Sequence, residues 1–493
     1  MGPMLIVIGR DMYKFTKVTF LWKSGERSML AAGKLENLLI RKLRRKRIDR
    51  NSIFVNASGI FDFMLEERKL PAIFSFSSGI LSINANNDNE LFSISADSNT
   101  GNYTITSVYN FIGTDRPGEL TGNTTNMLKV LNNLNLSEIQ IGDTNGDFSG
   151  TELHFGISSG NFVDNLNVNF ANVSSGDIYG DRLACFSNGA GVSFTSNHSA
   201  IKIISPLRVY GSGTIRFQSR NIELNQDLST GSGNILLVGD AGYQQSGDFP
   251  GVIIYRNLYS AGGSISITGR GGDSGAMGQY GVAITSGANI STSGNGSISI
   301  DGTGGNLSSS DPAQGVYFAG LNTNIRTVNG NITITGNGGT GSARDSSGID
   351  FTGRAALTTT GTGNIRISGY GGSGSWWPAG VMIESTNVNI QALGTGNISI
   401  NGTGGKNSNV STHGVYITQS AITVSNGTLS VNSTSGANAS TPSIEIDSSA
   451  NLFASMINIK SVSVRSCTRR FFGRSGGFYF NNCVFYLLRG GSG

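Results

Sequence analysis

Few residues in this chain have the types and spacing that chemistry requires. Gly272-Asp273-Ser274-Gly275 is part of the phrase that surrounds a serine-protease nucleophile, but the match stops at Ala276. A serine nucleophile needs a base to take its proton. The only histidines are His154, His198 and His413, none in a compatible context. Gly156-Ile157-Ser158-Ser159-Gly160 fits the nucleophile-elbow pattern, yet no helical sequence follows it. Asp143-Thr144-Asn145-Gly146-Asp147 has the 1-3-5 oxygen spacing of a calcium loop. Phe148 stands where that loop needs glycine, and His154 where it needs a bidentate glutamate, so an Asn-Gly turn explains it better. Cys185, Cys467 and Cys483 are too widely spaced for a zinc site or a disulfide framework. The expectation is no catalytic residue, no metal and no cofactor.

Two carboxylates, Asp350 and Glu445, fall at outward strand positions, where a polysaccharide lyase or glycosidase would need clustered acids. They are about three coils apart, roughly 14 Å at strand spacing, which is too far for one catalytic step. The residues that suit binding are aromatic. Trp376-Trp377-Pro378 lies in a polar loop, and Tyr317 and Tyr416 project outward nearby. These four rings are the candidate ligand face for glycans or surface proteins. The competing explanation is that they fill a gap in a stack of loops.

The elements that must hold these rings are written as a repeat. Gly-x-Ile-x-Ile-x-Gly or a near variant starts at 233, 263, 296, 330, 363, 396 and 427, a step of about 33 residues. A second phrase keeps the beat at Gly251, Gly281, Gly315, Gly348, Gly380 and Gly414, each followed by Val or Ile. A third, looser phrase begins at Asn289, Asn324, Ala356, Asn389 and Ala421. Each is a short period-2 run bounded by Gly, Asn or Ser, which is the signal of a strand between turns. A fixed step of this size means one unit stacked on copies of itself. The expected fold is all-β: a right-handed parallel β-solenoid with about three short strands per coil of ~33 residues. Ile265, Ile298, Ile332, Ile365 and Ile398 should form one inward file. Ile267, Ile300, Ile334, Ile367 and Ile400 should form a second, and Val282, Val316, Ile349, Val381 and Val415 a third. Glycine is expected to open the corners by adopting positive φ. The loops after each Gly-x-Gly-Gly (271–280, 304–314, 338–347, 371–379 and 404–413) differ in every repeat, as on the binding side of a solenoid.

Charge divides the chain. The net +4 resolves into +9 over residues 1–50, +5 over 465–493 and −10 between them. The repetitive body is acidic, so the basic balance does not argue for nucleic acid. No run of about 18 apolar residues is present, so no transmembrane helix is expected. Residues 1–70 read as a basic leader, disordered or outside the mature protein. Residues 71–232 read as an irregular all-β start of the same solenoid with a capping role, and 233–464 as its regular part. Residues 465–493 break the pattern and read as a cap, a truncated gene end or a frameshift.

Two stretches carry a resemblance. Gly396-Asn-Ile-Ser-Ile-Asn-Gly-Thr-Gly-Gly405 with Gly414-Val-Tyr-Ile417 resembles the repeats of bacterial β-strand-repeat adhesins, similar to filamentous haemagglutinin and autotransporter passengers, over roughly residues 200–460. Met64-Leu-Glu-Glu-Arg-Lys-Leu-Pro-Ala72 resembles the LEPR-XLL type of leader: Leu65, Glu66, Arg68 and Leu70 match, while Glu67, Lys69 and Pro71 depart. The resemblance implies an exported, extracellular or cell-surface protein. It points to a non-enzymatic adhesin or structural stalk, a monomeric rod with variable loops on one face. A polysaccharide-acting β-helix enzyme and a gene fragment without independent function are the alternatives.

Overall fold

Alternation decides which way each side chain points, and stacking decides what it meets. The computed structural model describes strands Leu5–Ile8 and Val18–Leu21, most of residues 72–461 in runs separated by short breaks (143–151 the longest), and strands Phe471–Phe472 and Tyr479–Phe480. The chain divides into two units, Met1–Leu70 and Pro71–Gly493. In the first, Leu5–Ile8 pairs antiparallel with Val18–Leu21.

The second unit is a parallel β-solenoid, and no helix occurs among the described residues. Three long sheets run along it, of sixteen, fifteen and twelve strands. The Gly-x-Ile-x-Ile phrases form the first sheet, the Gly-Val phrases the second and the looser phrase the third. In the first sheet Ile265, Ile298, Ile332, Ile365 and Ile398 are in register, as are Ile267, Ile300, Ile334, Ile367 and Ile400. All ten are fully buried. Val282, Val316, Ile349, Val381 and Val415 make the equivalent file of the second sheet. Ile290, Ile325, Leu357, Ile390 and Ile422 make that of the third. One coil leaves these side chains half covered. Stacking removes the rest from water, at about 1.5–3 kcal/mol for each.

The glycines of the regular repeat do something other than open the corners. Gly263, Gly296, Gly330, Gly363 and Gly396 stack on one another. A Cβ on any of the last four would collide with the carbonyl oxygen of the glycine one coil earlier. Gly269, Gly302, Gly336, Gly369 and Gly402 are likewise closed by the carbonyls of the Gly281-to-Gly414 series. None of these positions has positive φ. The expectation of φ > 0 fails because the corners are so tight that backbone lies on backbone, leaving no room for a methyl group. Positive φ falls instead at Gly287, Gly294 and Gly320 and at non-glycine residues such as Ser286, Asn322, Asn387 and Gln419.

A ladder of polar side chains runs beside the glycine column. The Asn234 Oδ1 accepts the Ser264 amide, and the Ser264 Oγ accepts that of Ser297. The Ser297 Oγ accepts the Asn331 amide, and the Oδ1 atoms of Asn331, Asn364 and Asn397 accept the amides of Asn364, Asn397 and Thr428. Each rung is 2.8–3.1 Å long and joins one coil to the next. The Ser or Asn before each Ile is therefore a staple between coils.

The parallel stack begins well before the regular repeat. Glu138–Gly142 pairs with Ile80–Asn84, and from there Ile139, Val168, Phe194, Phe217, Leu237 and Ile267 share one file. The step along that file is 29, 26, 23, 20 and then 30 residues. At the N-terminal end the sheets start in antiparallel hairpins: Ala72–Ser77 with Ile80–Asn84, and Glu90–Ala96 with Tyr103–Ser107. The core there is aromatic. Phe111 packs edge-on against Phe74 and at a tilt against Phe92. At the other end, Phe471–Phe472 and Tyr479–Phe480 add in parallel to Asn451–Phe453 and Met456–Ser461.

Candidate functional site

The second sheet holds its core with two residues of each three-residue strand and turns the middle one outward. In register, these outward residues are Ala283, Tyr317, Asp350, Met382, Tyr416 and Glu445. The variable loops enter this sheet from the first. Their roots stack as the strands do: Gly305, Gly339, Gly372 and Gly405 donate their amides to Gln279, Ala313, Ser346 and Pro378. Strands Asn306–Leu307 and Thr340–Gly341 pair in parallel within the loops themselves. The outward row is thus walled on one side by a second layer of chain.

Two aromatic clusters stand on this row. Tyr280, which immediately precedes Gly281, stacks on Tyr317 of the next coil with centroids 4.6 Å apart and planes at 12°. At the other end Trp377 meets Tyr416 edge-on at 5.5 Å and His413 at 6.1 Å, and His413 lies 5.4 Å from Tyr416. Trp377 holds φ at +39°, a costly conformation for a tryptophan. Its carbonyl accepts hydrogen bonds from the Ser347 hydroxyl and the Ala379 amide, which fix the turn. Of the four rings expected at a ligand face, Tyr317 and Tyr416 lie on this row, Trp377 packs against Tyr416 from the loop, and all three are partly exposed. Trp376 lies outside the described residues. Tyr280 and His413 were not anticipated. Their signal was positional, since both occupy the place just before the Gly-Val phrase.

His413 is buried, and its Nδ1 lies 3.0 Å from the Pro442 carbonyl. A carbonyl only accepts, so Nδ1 carries the proton and Nε2 faces the Glu445 carboxylate at 3.6 Å. Burial lowers the His413 pKa below the usual histidine value, against the opposing pull of Glu445 and the Pro442 hydrogen bond.

Between the clusters lies an acid that is anything but a lone surface residue. Asp350 faces outward from the sheet yet is only 1% exposed, because the loop layer covers it. Gln314 donates Nε2 to its Oδ2 at 3.1 Å, while Asp350 Oδ1 and Gln314 Oε1 have no partner. Burial raises its pKa to about 8, and the charges of Glu384 and Asp345 add to the effect. Glu384 follows the next strand and is half-buried. Burial first, then Asp345, hold it above the usual carboxylate range. Tyr416 is raised by burial and by the carboxylates of Glu445, Asp447 and Glu384. Glu384 and Asp345 escaped the sequence reading because they lie outside the strand alternation, Glu384 just after its strand and Asp345 within the 338–347 loop. Asp350 and Glu445 are three register positions apart, with Met382 and Tyr416 between them.

The other sequence candidates stay separate. Asp273 is exposed and accepts the Gly247 amide, a turn contact. The Asp143–Asp147 segment, Ser158, Ser159 and Gly275 lie outside the described residues. So do His198, Cys467 and Cys483. Among the described residues no group of three or more His, Cys, Asp or Glu side chains is placed to hold a metal ion. No described helix is long and apolar enough to cross a membrane. Comparison with family models, curated proteins and solved structures gave no match for this chain.

Proposed function

We propose that this chain is an exported, cell-surface adhesin whose solenoid holds a glycan-binding face on the outward row of its second sheet. The observation that carries the reading is the pair of aromatic clusters, Tyr280–Tyr317 and Trp377–His413–Tyr416, spaced along one register line. Rings held on a rigid strand row offer flat apolar surface at little cost in conformational entropy, which suits stacking against sugar rings. The strained turn at Trp377 fits a side chain held in place for contact. The mechanism is geometric: binding by preformed surface, on a rod whose length sets reach. The extracellular setting rests on the likeness to bacterial strand-repeat adhesins.

A glycan array probed with the full chain tests this. Bound neutral or charged oligosaccharides, with signal lost in both Trp377→Ala and Tyr416→Ala, are expected. Array binding that neither substitution alters would remove the aromatic face from the account.

The second reading is a polysaccharide-acting enzyme, and Asp350 is the observation in its favour. A general acid must lie within hydrogen-bond reach of its substrate. Asp350 is covered by the loop layer, and Glu445 is three coils away. Release of reducing ends or unsaturated products from a polysaccharide, lost in Asp350→Asn, would establish that reading over the adhesin.

A further inference from the structure

We infer that the ligand of this face is a glycan bearing free ammonium groups, an amino-sugar polymer that is not N-acetylated. The inference rests on the glycan-binding reading and adds the ligand's charge to it.

The argument is complementarity. Around the second aromatic cluster stand carboxylates: Glu445 follows Tyr416 in the row, and Glu384 and Asp447 lie close enough to act on the same ring. Glu384 lies close enough to Asp350 to act on its charge, and among the described residues no Lys or Arg forms an ion pair with it. Among the described residues the ion-pair neighbour of Glu445 is His413, whose pKa burial lowers below the usual histidine value. The fields of Glu384, Glu445 and Asp447 converge on Tyr416, the ring at the centre of the second cluster. Lys406, at the start of the last variable loop, is exposed, and its amide is tied to the Gly372 carbonyl at the first-sheet corner.

A uronate or sialylated chain would bring its carboxylates against Glu384 and Glu445, beside which no Lys or Arg is paired among the described residues. A neutral chain would leave the field unused. An ammonium group has three donors and no acceptor, which matches the carboxylates of Glu384 and Glu445. It is also attracted to the faces of tyrosine and tryptophan. From Tyr317 to Tyr416 is three coils, about 14 Å, enough for a short oligosaccharide to touch both clusters.

The test is titration calorimetry of the full chain with four probes at low and moderate salt. They are fully deacetylated glucosamine oligomers, the same oligomers N-acetylated, oligogalacturonate, and a polylysine peptide. We expect the deacetylated oligomers to bind about tenfold more tightly than the acetylated ones, more weakly as salt rises, and oligogalacturonate not at all. Glu384→Gln and Glu445→Gln should each narrow the gap between the two glucosamine series without moving the melting temperature by more than a degree or two. Glu445→Gln keeps the test valid if the half-buried Glu384 variant fails to fold. Equal binding of acetylated and deacetylated oligomers, or binding of oligogalacturonate, overturns the charge assignment and leaves the glycan face standing. Polylysine binding as tight as the glucosamine oligomer, and unmoved by Trp377→Ala, shows a bare cation surface and overturns the inference. If no oligosaccharide binds, the glycan reading itself falls.

Discussion

Gln314 reaches across one coil boundary to donate its Nε2 to Asp350 Oδ2 at 3.1 Å, leaving Gln314 Oε1 and Asp350 Oδ1 without a donor beside a carboxyl group that is 1% exposed. This pair explains why an acidic residue can sit under the loop layer. Gln314 provides one hydrogen bond, and the raised pKa keeps the group uncharged at neutral pH.

The consequence for stability has a definite sign. Asp350 titrates at about 8 in the fold, against 3.8 as its ordinary value. Between those pH values the folded state keeps the proton that the unfolded chain has released, so stability falls as pH rises through the window. Asp350→Asn removes that loss and brings an amide donor for Gln314 Oε1. Thermal melts should show the variant matching the parent near pH 4 and exceeding it increasingly toward pH 8, each pKa unit being worth about 1.4 kcal/mol. Parallel pH profiles for the two proteins would contradict the burial of this acid.

The glycine columns make a prediction that separates space from backbone conformation. Gly330→Ala places a methyl group against the Gly296 carbonyl and should cost about 1–3 kcal/mol or more as the coils separate. Gly294→Ala meets nothing within 4 Å and is strained only by its φ of +62°. Its cost should be about 1–2 kcal/mol. Denaturant unfolding of both variants measures the difference, and a Gly330 variant milder than the Gly294 one would mean that crowding is not what selects glycine here.

Asn364 accepts the Asn397 amide through Oδ1 while its own amide is bound by Asn331. Asn364→Ala removes one acceptor between coils, a loss of about 1 kcal/mol. Asn364→Ser should recover part of it, because Ser297 and Ser264 serve the same role two and three rungs earlier. Amide hydrogen exchange at residue 397 is the direct readout: faster in the alanine variant, intermediate in the serine one.

Ile334 is fully buried in a file of isoleucines. Ile334→Ala should cost about 2–5 kcal/mol through lost burial and a residual cavity. Ile334→Asp adds an unpaired buried charge and should cost more. An aspartate variant that melts with the parent would require this side chain to face solvent.

The regular coils were legible because one residue type recurs at each place. The Ile-x-Ile phrase fixed the first sheet, its inward files and the loop side. The N-terminal coils were harder to read, since their step shrinks to 20 residues and Phe194, Phe217 and Leu237 replace isoleucine in the file. A repeat without a constant step leaves no periodic signal, although the sheet pairing is the same. At the candidate site, Tyr317, Trp377 and Tyr416 were visible as aromatics in polar surroundings. Asp350 was placed on the correct face, but strand alternation says nothing about a second layer of loops above it. Glu384 was missed for the same reason: what gives it meaning is proximity to Asp350 through the loop layer, not its place in the repeat.

The glycine columns also say how such a molecule can change size. Duplicating or excising one whole coil leaves every glycine facing another glycine and every asparagine under the amide it serves. Inserting a single residue within a strand would set methyl against carbonyl and turn isoleucine toward water. Copy number is therefore the one dimension along which this architecture can vary freely in descent, and related molecules should differ in length by entire turns.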